Sequence, residues 1–204
     1  MLLFAGCSHT KGVGLKDQEK ERYSTLIGQR LSKDVLNVAK QGGSNDEIAR
    51  RTVDGIVKNN PEFVFVQFTS CVRTTLWYQN DWRNLNTGQI NQKCPLQPFA
   101  RTWYEMFYTD ELGSLNLWKN VLFLENFIEQ RKIPYYFFII NNCHRTSNIY
   151  KETTKWNNMI SDEDILGFRL RDPKNPNLRN RGRHPTAEEH SVFADKLLDI
   201  YKSM

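Results

Sequence analysis

The chain has 204 residues, with 28 Lys and Arg against 23 Asp and Glu, a formal charge of +5, 39% hydrophobic and 25% charged residues. That length suits one domain (1–204) able to bury an ordinary core, and the composition excludes a disordered chain. A charge of +5 is compatible with an anionic partner but does not by itself indicate nucleic acid, and no apolar run approaches the roughly 18 residues of a membrane-crossing helix.

In chain order, Met1–Ala5 is apolar and short, with no basic region before it, so it is expected as a first buried strand and not as a signal peptide. It runs into Gly6-Cys7-Ser8-His9-Thr10. Glu21–Leu31 is predicted as a helix, with Leu26, Ile27 and Leu31 on one face. Val35–Val38 follows as a short strand. After Gly42 and Gly43, Ser44 or Asn45 caps a helix to about Lys58, with Ile48, Val53, Ile56 and Val57 as its apolar stripe. Phe63–Phe68 is a continuous apolar run broken only by Gln67, the pattern of a strand covered on both faces.

From about 75 to 110 the sequence is irregular, polar and aromatic (Trp77, Tyr78, Trp82, Trp103, Tyr104, Phe107, Tyr108), and is expected as a partly helical insertion. Its aromatic residues suit either a small core of their own or a sugar-stacking surface. Leu115–Gln130 is a helix with Leu117, Val121, Leu124 and Ile128 on one side, and Tyr135–Ile140 a further buried strand. Asn141–Ser161 reads as irregular, Ile165–Leu170 as a short last strand, and Thr186 as the cap of a C-terminal helix carrying Val192, Phe193, Leu197, Leu198 and Ile200. The four cysteines (Cys7, Cys71, Cys94, Cys143) form no CxxC pair. Without a secretion signal they are expected as reduced thiols of a cytoplasmic protein.

Strands alternating with helices predict an α/β protein, a three-layer α/β/α sandwich around a doubly wound, mostly parallel sheet. In such sheets ligands bind beyond the carboxyl ends of the strands. The polar clusters Gly6–Thr10, Gln41–Asn45 and Thr69–Arg73 all follow predicted strands, so they are expected on one edge of the sheet.

Ser8 stands immediately after the first strand. A serine nucleophile needs a base, because its hydroxyl barely ionises at neutral pH; a serine in such a turn also serves simply as a helix cap. His184, in Gly182-Arg-His-Pro-Thr-Ala-Glu-Glu-His190, lies just before the final helix, and Pro185 holds it extended. Arg73 and the run Arg179, Arg181, Arg183 suit either an anionic substrate, through guanidinium forks, or a solvated basic loop.

Together these residues resemble the SGNH (GDSL-like) hydrolase superfamily over nearly the whole chain. Gly6-Cys7-Ser8-His9-Thr10 through Leu15 resembles the block whose serine is the nucleophile, and Asn37–Ser44 the block whose glycine amide helps form the oxyanion hole. His184-Pro185, with Ala187 and His190, resembles the block that supplies the histidine. Gly43-Ser44-Asn45-Asp46 and Thr69-Ser70-Cys71-Val72-Arg73 are similar to blocks of small bacteriophage SGNH-like proteins.

The resemblance implies a flavodoxin-like sandwich and a serine esterase or carbohydrate deacetylase, acting in the host cytoplasm if phage-encoded. Ser8 and His184 would be catalytic, and the amides of Ser8 and Gly42 or Gly43 would form the oxyanion hole. His9 and Arg73 would contact substrate, a small-molecule or carbohydrate ester. Two departures stand out. Gln67-Phe68-Thr69-Ser70 replaces the family's Gly-x-Asn-Asp, so Thr69, Ser70 or Asn45 must donate in its place. Gly182 and Arg181, with Arg183 adjacent, stand where the family's Asp is expected, leaving a Ser–His dyad oriented by a backbone carbonyl or a reach from Asp172. Losing the acid typically costs orders of magnitude in rate, which makes a non-catalytic binding or virion-associated protein the rival reading. No cofactor and no metal are expected: Gly6 and Gly12 lack the ending of a phosphate loop, and Cys7, His9, Cys143, His144 and His190 lack ligand spacing. The sequence does not fix the oligomeric state.

Overall fold

The structure is a computed structural model and describes residues 1–139, 159–160 and 184–204. Among the described residues five strands form one sheet: β1 (Leu2–Ala5), β2 (Val35–Asn37), β3 (Phe63–Phe68), β6 (Tyr135–Ile139) and β7 (Met159–Ile160). Their order is β2-β1-β3-β6-β7, and every pairing is parallel. Strands buried on both faces need apolar side chains on both, which is why Leu2–Ala5, Phe63–Phe68 and Tyr135–Ile139 show no alternation.

One face carries Leu3, Ala5, Val64, Val66, Phe68 and Phe137 against the helices α4 (Asn45–Asn59) and α6 (Asp110–Glu129). Leu117, Val121, Leu124 and Ile128 of α6 are all buried, as their spacing predicts. In α4, Ile48 and Ile56 are buried and Val53 packs beside them, but Val57 points outward at 63% exposure; it lies too far round the helix to join the stripe. The opposite face carries Leu2, Phe4, Phe63, Phe65 and Phe138 against α3 (Tyr23–Leu31) and the C-terminal helix α7 (Ala187–Ser203). Phe4 stacks on Phe65 with ring centroids 4.6 Å apart. Two helical layers around a parallel sheet give the expected sandwich.

Capping sets the helix starts. Ser44 accepts from the Glu47 amide ahead of α4, Thr109 from Leu112 ahead of α6, and Thr186 forms a reciprocal capping box with Glu189 ahead of α7. Thr109 therefore starts α6 five residues before the predicted Leu115. The helix predicted from Glu21 is divided: α2 spans Gln18–Glu21, and α3 begins at Tyr23.

The stretch after β3 is more regular than its sequence suggests. It holds an antiparallel hairpin, β4 (Thr74–Tyr78) and β5 (Asp81–Leu85), a 3₁₀ turn (Thr87–Asn91), helix α5 (Gln97–Thr102) and a π-helical turn (Trp103–Phe107). The two turn residues Gln79 and Asn80 both have positive φ (50° and 58°), which is the primed turn that matches strand twist. The polar stretch 141–161 was expected to be irregular, yet Met159–Ile160 pairs with β6 as the fifth strand. The expected strand Ile165–Leu170 lies outside the described residues.

Cys71 is disulfide-bonded, against the expectation of reduced thiols, while Cys7 and Cys94 are free. Among the described residues, no helix is long and apolar enough to cross a membrane.

Candidate active site

Counting only the strands of the large sheet, its order is 2-1-3-4-5, so the direction of winding reverses between β1 and β3. The crevice of a doubly wound sheet opens at that reversal, beyond the carboxyl ends of the two strands. Gly6–Thr10 follows β1 and Thr69–Arg73 follows β3, so both clusters stand at the crevice. The Gln41–Asn45 cluster joins them from β2, whose continuation runs beside β1: Val38 donates to the Phe4 carbonyl (2.8 Å) and Lys40 to that of Gly6 (3.1 Å).

Ser8 opens a single helical turn, α1 (Ser8–Lys11), whose cap Cys7 contributes no side-chain hydrogen bond. The amides of a first turn have no partner within the helix. Ser8 is therefore held where its own N–H is available at the crevice, and its side chain is almost fully buried, with Cys7 Sγ 4.0 Å from its Oγ. Gly6 allows this turn: a Cβ there would lie 2.0 Å from Thr10 Oγ1 and 2.9 Å from Gln67 Cβ. Gly6→Ala is expected to destabilise the protein by at least about 2 kcal/mol through overpacking, read as a lower urea midpoint; an unchanged midpoint would show that the turn is not packed in this way.

Beneath Ser8 runs a chain of buried polar groups. Tyr23 Oη donates to Thr10 Oγ1 (2.7 Å), which donates to Gln67 Oε1 (2.8 Å); Cys7 Sγ donates to the same oxygen (3.4 Å). Burial pushes the Tyr23 pKa up, so the phenol stays a donor. Gln67, in the sequence the interruption of an apolar strand and the first residue of a departing block, thus fixes the turn that carries Ser8. A lone amide at the carboxyl end of a buried strand was the available signal.

The glycine loop is fastened from three sides. Asn45 is fully buried and clamps the Thr69 backbone, accepting from its N–H (2.8 Å) and donating to its carbonyl (3.2 Å). Arg73 Nη1 donates to the Gly43 carbonyl (3.3 Å) and to Thr69 Oγ1 (3.2 Å). Buried Glu47 pairs with Lys40 (2.8 Å) and accepts from Asn84 of the hairpin. Ser44 Oγ and Thr75 Oγ1 also share a hydrogen bond across to the hairpin. Glu47, Thr75 and Asn84 had no sequence signal, because their roles depend on the unrecognised hairpin. The Gly43 N–H donates to the Lys40 carbonyl (3.1 Å), whereas no hydrogen bond engages the Gly42 N–H among the described residues.

His184 arrives from the other end of the chain. Its ring stands edge-on to His9, with centroids 5.7 Å apart and planes at 81°. Gly14 makes the approach possible, since a Cβ on its backbone (φ +96°) would come within 3.1 Å of His184 Cβ. Ser8 and His184 are thus brought to one region through His9 and Gly14, but no hydrogen bond joins Ser8 Oγ to the imidazole. Ser70 is half-buried at the start of the β3 loop. Asp172, Arg179, Arg181 and Arg183 lie outside the described residues.

An α/β fold with a parallel central sheet flanked by helices matches SGNH hydrolase structures. Three solved structures are similar to the chain over nearly their full lengths. They are the acetyl xylan esterase AlAXEase (TM-score 0.60, 15% identical, 98% of each chain covered), a protein described as lipolytic and of the G-D-S-L family from Desulfitobacterium hafniense DCB-2 (TM-score 0.56, 12% identical, 98% of each chain), and the psychrotrophic esterase EstA from Pseudoalteromonas sp. (TM-score 0.56, 13% identical, 99% of this chain and 96% of that one). No family model matches the sequence. No curated protein matches it either.

Proposed function

We propose that the protein is a serine ester hydrolase, with Ser8 as nucleophile and His184 as general base. The observation that carries this reading is the meeting of the two chain ends: Ser8 in the first turn after β1, and His184 seated on Gly14 and against His9. In the reaction, His184 turns from His9 to take the Ser8 hydroxyl proton as Oγ attacks the ester carbonyl, then delivers it to the departing alkoxide. Catalytic hydrogen bonds in empty sites are often long and tighten only around substrate.

The developing oxyanion is held by the amides of Ser8 and Gly42 and by the Thr69 hydroxyl. Gly42 is preferred over Gly43 because the Gly43 amide is already bonded to Lys40. Asn45 acts as the clamp on Thr69 and Arg73 as the tie between Thr69 and Gly43, which leaves the second guanidinium nitrogen of Arg73 for substrate. A water then hydrolyses the acyl-Ser8 intermediate by the reverse use of His184. Short acyl esters are the substrate class, and the fold shared with an acetyl xylan esterase extends it to acetylated carbohydrates.

A panel of 4-nitrophenyl acetate, 4-nitrophenyl butyrate and acetylated xylo-oligosaccharides tests the reading. Turnover of at least one is expected, and His184→Ala should lower it by about 10²–10⁴-fold; no turnover across the panel overturns the reading. One observation favours a second reading, a non-catalytic SGNH-like binding protein: Ser8 Oγ lacks the hydrogen bond to His184 that a poised nucleophile would have. That protein would bind acetylated sugars without cleaving them.

A further inference from the structure

A cavity of about 110 Å³ lies beside the β3 loop, lined among others by Arg73, Thr74, Trp103, Tyr108, Leu112 and Asn116. Three features of its lining point to one kind of ligand. The first is charge: among the described residues no Asp or Glu lines the cavity and none pairs with the half-buried guanidinium of Arg73. The second is an excess of donors. Among the described residues the buried Trp103 indole N–H has no partner, and Arg73 uses only Nη1 in its bonds to Gly43 and Thr69. Tyr108 donates its hydroxyl to Asp110, and Asn116 donates to Asp46. The third is shape: the indole of Trp103 and the phenol ring of Tyr108 are flat apolar walls. A partly buried cation and an orphaned N–H are both relieved by a planar monoanion, and a guanidinium fork matches a carboxylate.

We propose that this cavity is a carboxylate-binding subsite, so that the preferred substrates are esters bearing a free carboxylate. The substrate assignment rests on the ester-hydrolase reading; binding at the cavity does not. Arg73 links the two, because the residue that lines the cavity also holds the Thr69 hydroxyl and the Gly43 carbonyl at the crevice. A flat carboxylate with a short carbon chain fits between the rings, and its single charge matches the single arginine.

The test is titration of propionate into protein labelled with ¹⁵N at its five indole nitrogens, with propionamide and inorganic phosphate as parallel arms. Trp103→Phe identifies the Trp103 resonance by its loss. That resonance should move saturably with propionate and not with propionamide, and Arg73→Gln should weaken propionate binding at least about tenfold. No saturable shift, an equal response to propionamide, or tighter binding of phosphate overturns the assignment. A kinetic arm compares 4-nitrophenyl hydrogen succinate with 4-nitrophenyl valerate, and 4-acetoxybenzoate with its methyl ester. One acid ester should exceed its neutral counterpart about tenfold in kcat/KM, and neither doing so overturns the substrate assignment. Propionate binding without hydrolysis of any ester overturns the hydrolase reading and leaves the subsite standing. Hydrolysis of the neutral esters without propionate binding does the reverse.

Discussion

Ser8→Ala is expected to lower kcat/KM for 4-nitrophenyl acetate by at least about 10³-fold while leaving the fold intact. The size follows from the role: without the hydroxyl no acyl-enzyme forms, and only the residual rate from the oxyanion donors and substrate binding remains. The intact fold follows from the contacts. Among the described residues Ser8 Oγ has only a long contact of 4.0 Å to Cys7 Sγ, and the turn is held by other groups, the Thr10–Gln67 hydrogen bond and the close packing at Gly6. Its removal should change stability by less than about 1 kcal/mol. Steady-state kinetics beside a urea titration of the same preparation checks both halves. A variant that retains activity would place the chemistry elsewhere.

The second large effect is on stability and comes from His190, to which the sequence analysis assigned no structural role. It is fully buried on α7, its ring stacks on Tyr23 with centroids 5.6 Å apart, and its Nδ1 accepts from the Tyr23 N–H at the start of α3 (3.2 Å). The imidazole thus caps one helix from another. Burial lowers its pKa to about 4, because a charged ring there would lose its hydration.

The folded pKa lies below the unfolded value of roughly 6.5, so the unfolded chain takes up the proton first as the pH falls. Stability is full above about pH 6.5 and is lost progressively down to about pH 4, by on the order of 3 kcal/mol. His190→Asn, which keeps an acceptor for Tyr23 but does not titrate, should be less stable than the wild type at pH 7.5 and should lose less between pH 6.5 and 4. Urea unfolding at several pH values gives the comparison. Parallel curves for the two proteins would remove His190 from the acid response.

The elements legible in the sequence were those whose signals are local. Phe63–Phe68 is read as a buried strand because nothing polar but Gln67 interrupts it, and the ends of α4 and α7 follow from Ser44 and Thr186 acting as caps. The shared edge of the three polar clusters follows from parallel topology alone, and the hydrogen bonds from Asn45 and Arg73 across that edge agree with it.

What was missed depends on partners distant in sequence. The hairpin turns at Gln79-Asn80, a pair without the glycine that marks most primed turns, so its strands read as an irregular aromatic stretch. With the hairpin unseen, Glu47 and Asn84 could not be recognised as the pair that fastens the glycine loop. The resemblance left Gly42 or Gly43 open, and of the two it is the Gly43 N–H that is bonded to the Lys40 carbonyl. Arg73 was read as a substrate contact; in the structure it first ties two site loops together and then faces a cavity.

Covalent labelling by a fluorophosphonate probe, followed by peptide mass spectrometry, tests Ser8 as the nucleophile. A single adduct on Ser8 is expected, formed more slowly in His184→Ala and prevented by prior incubation with an ester substrate. Absence of the adduct on Ser8 at saturating probe, or its appearance on another serine, would contradict the assignment of Ser8 as the nucleophile.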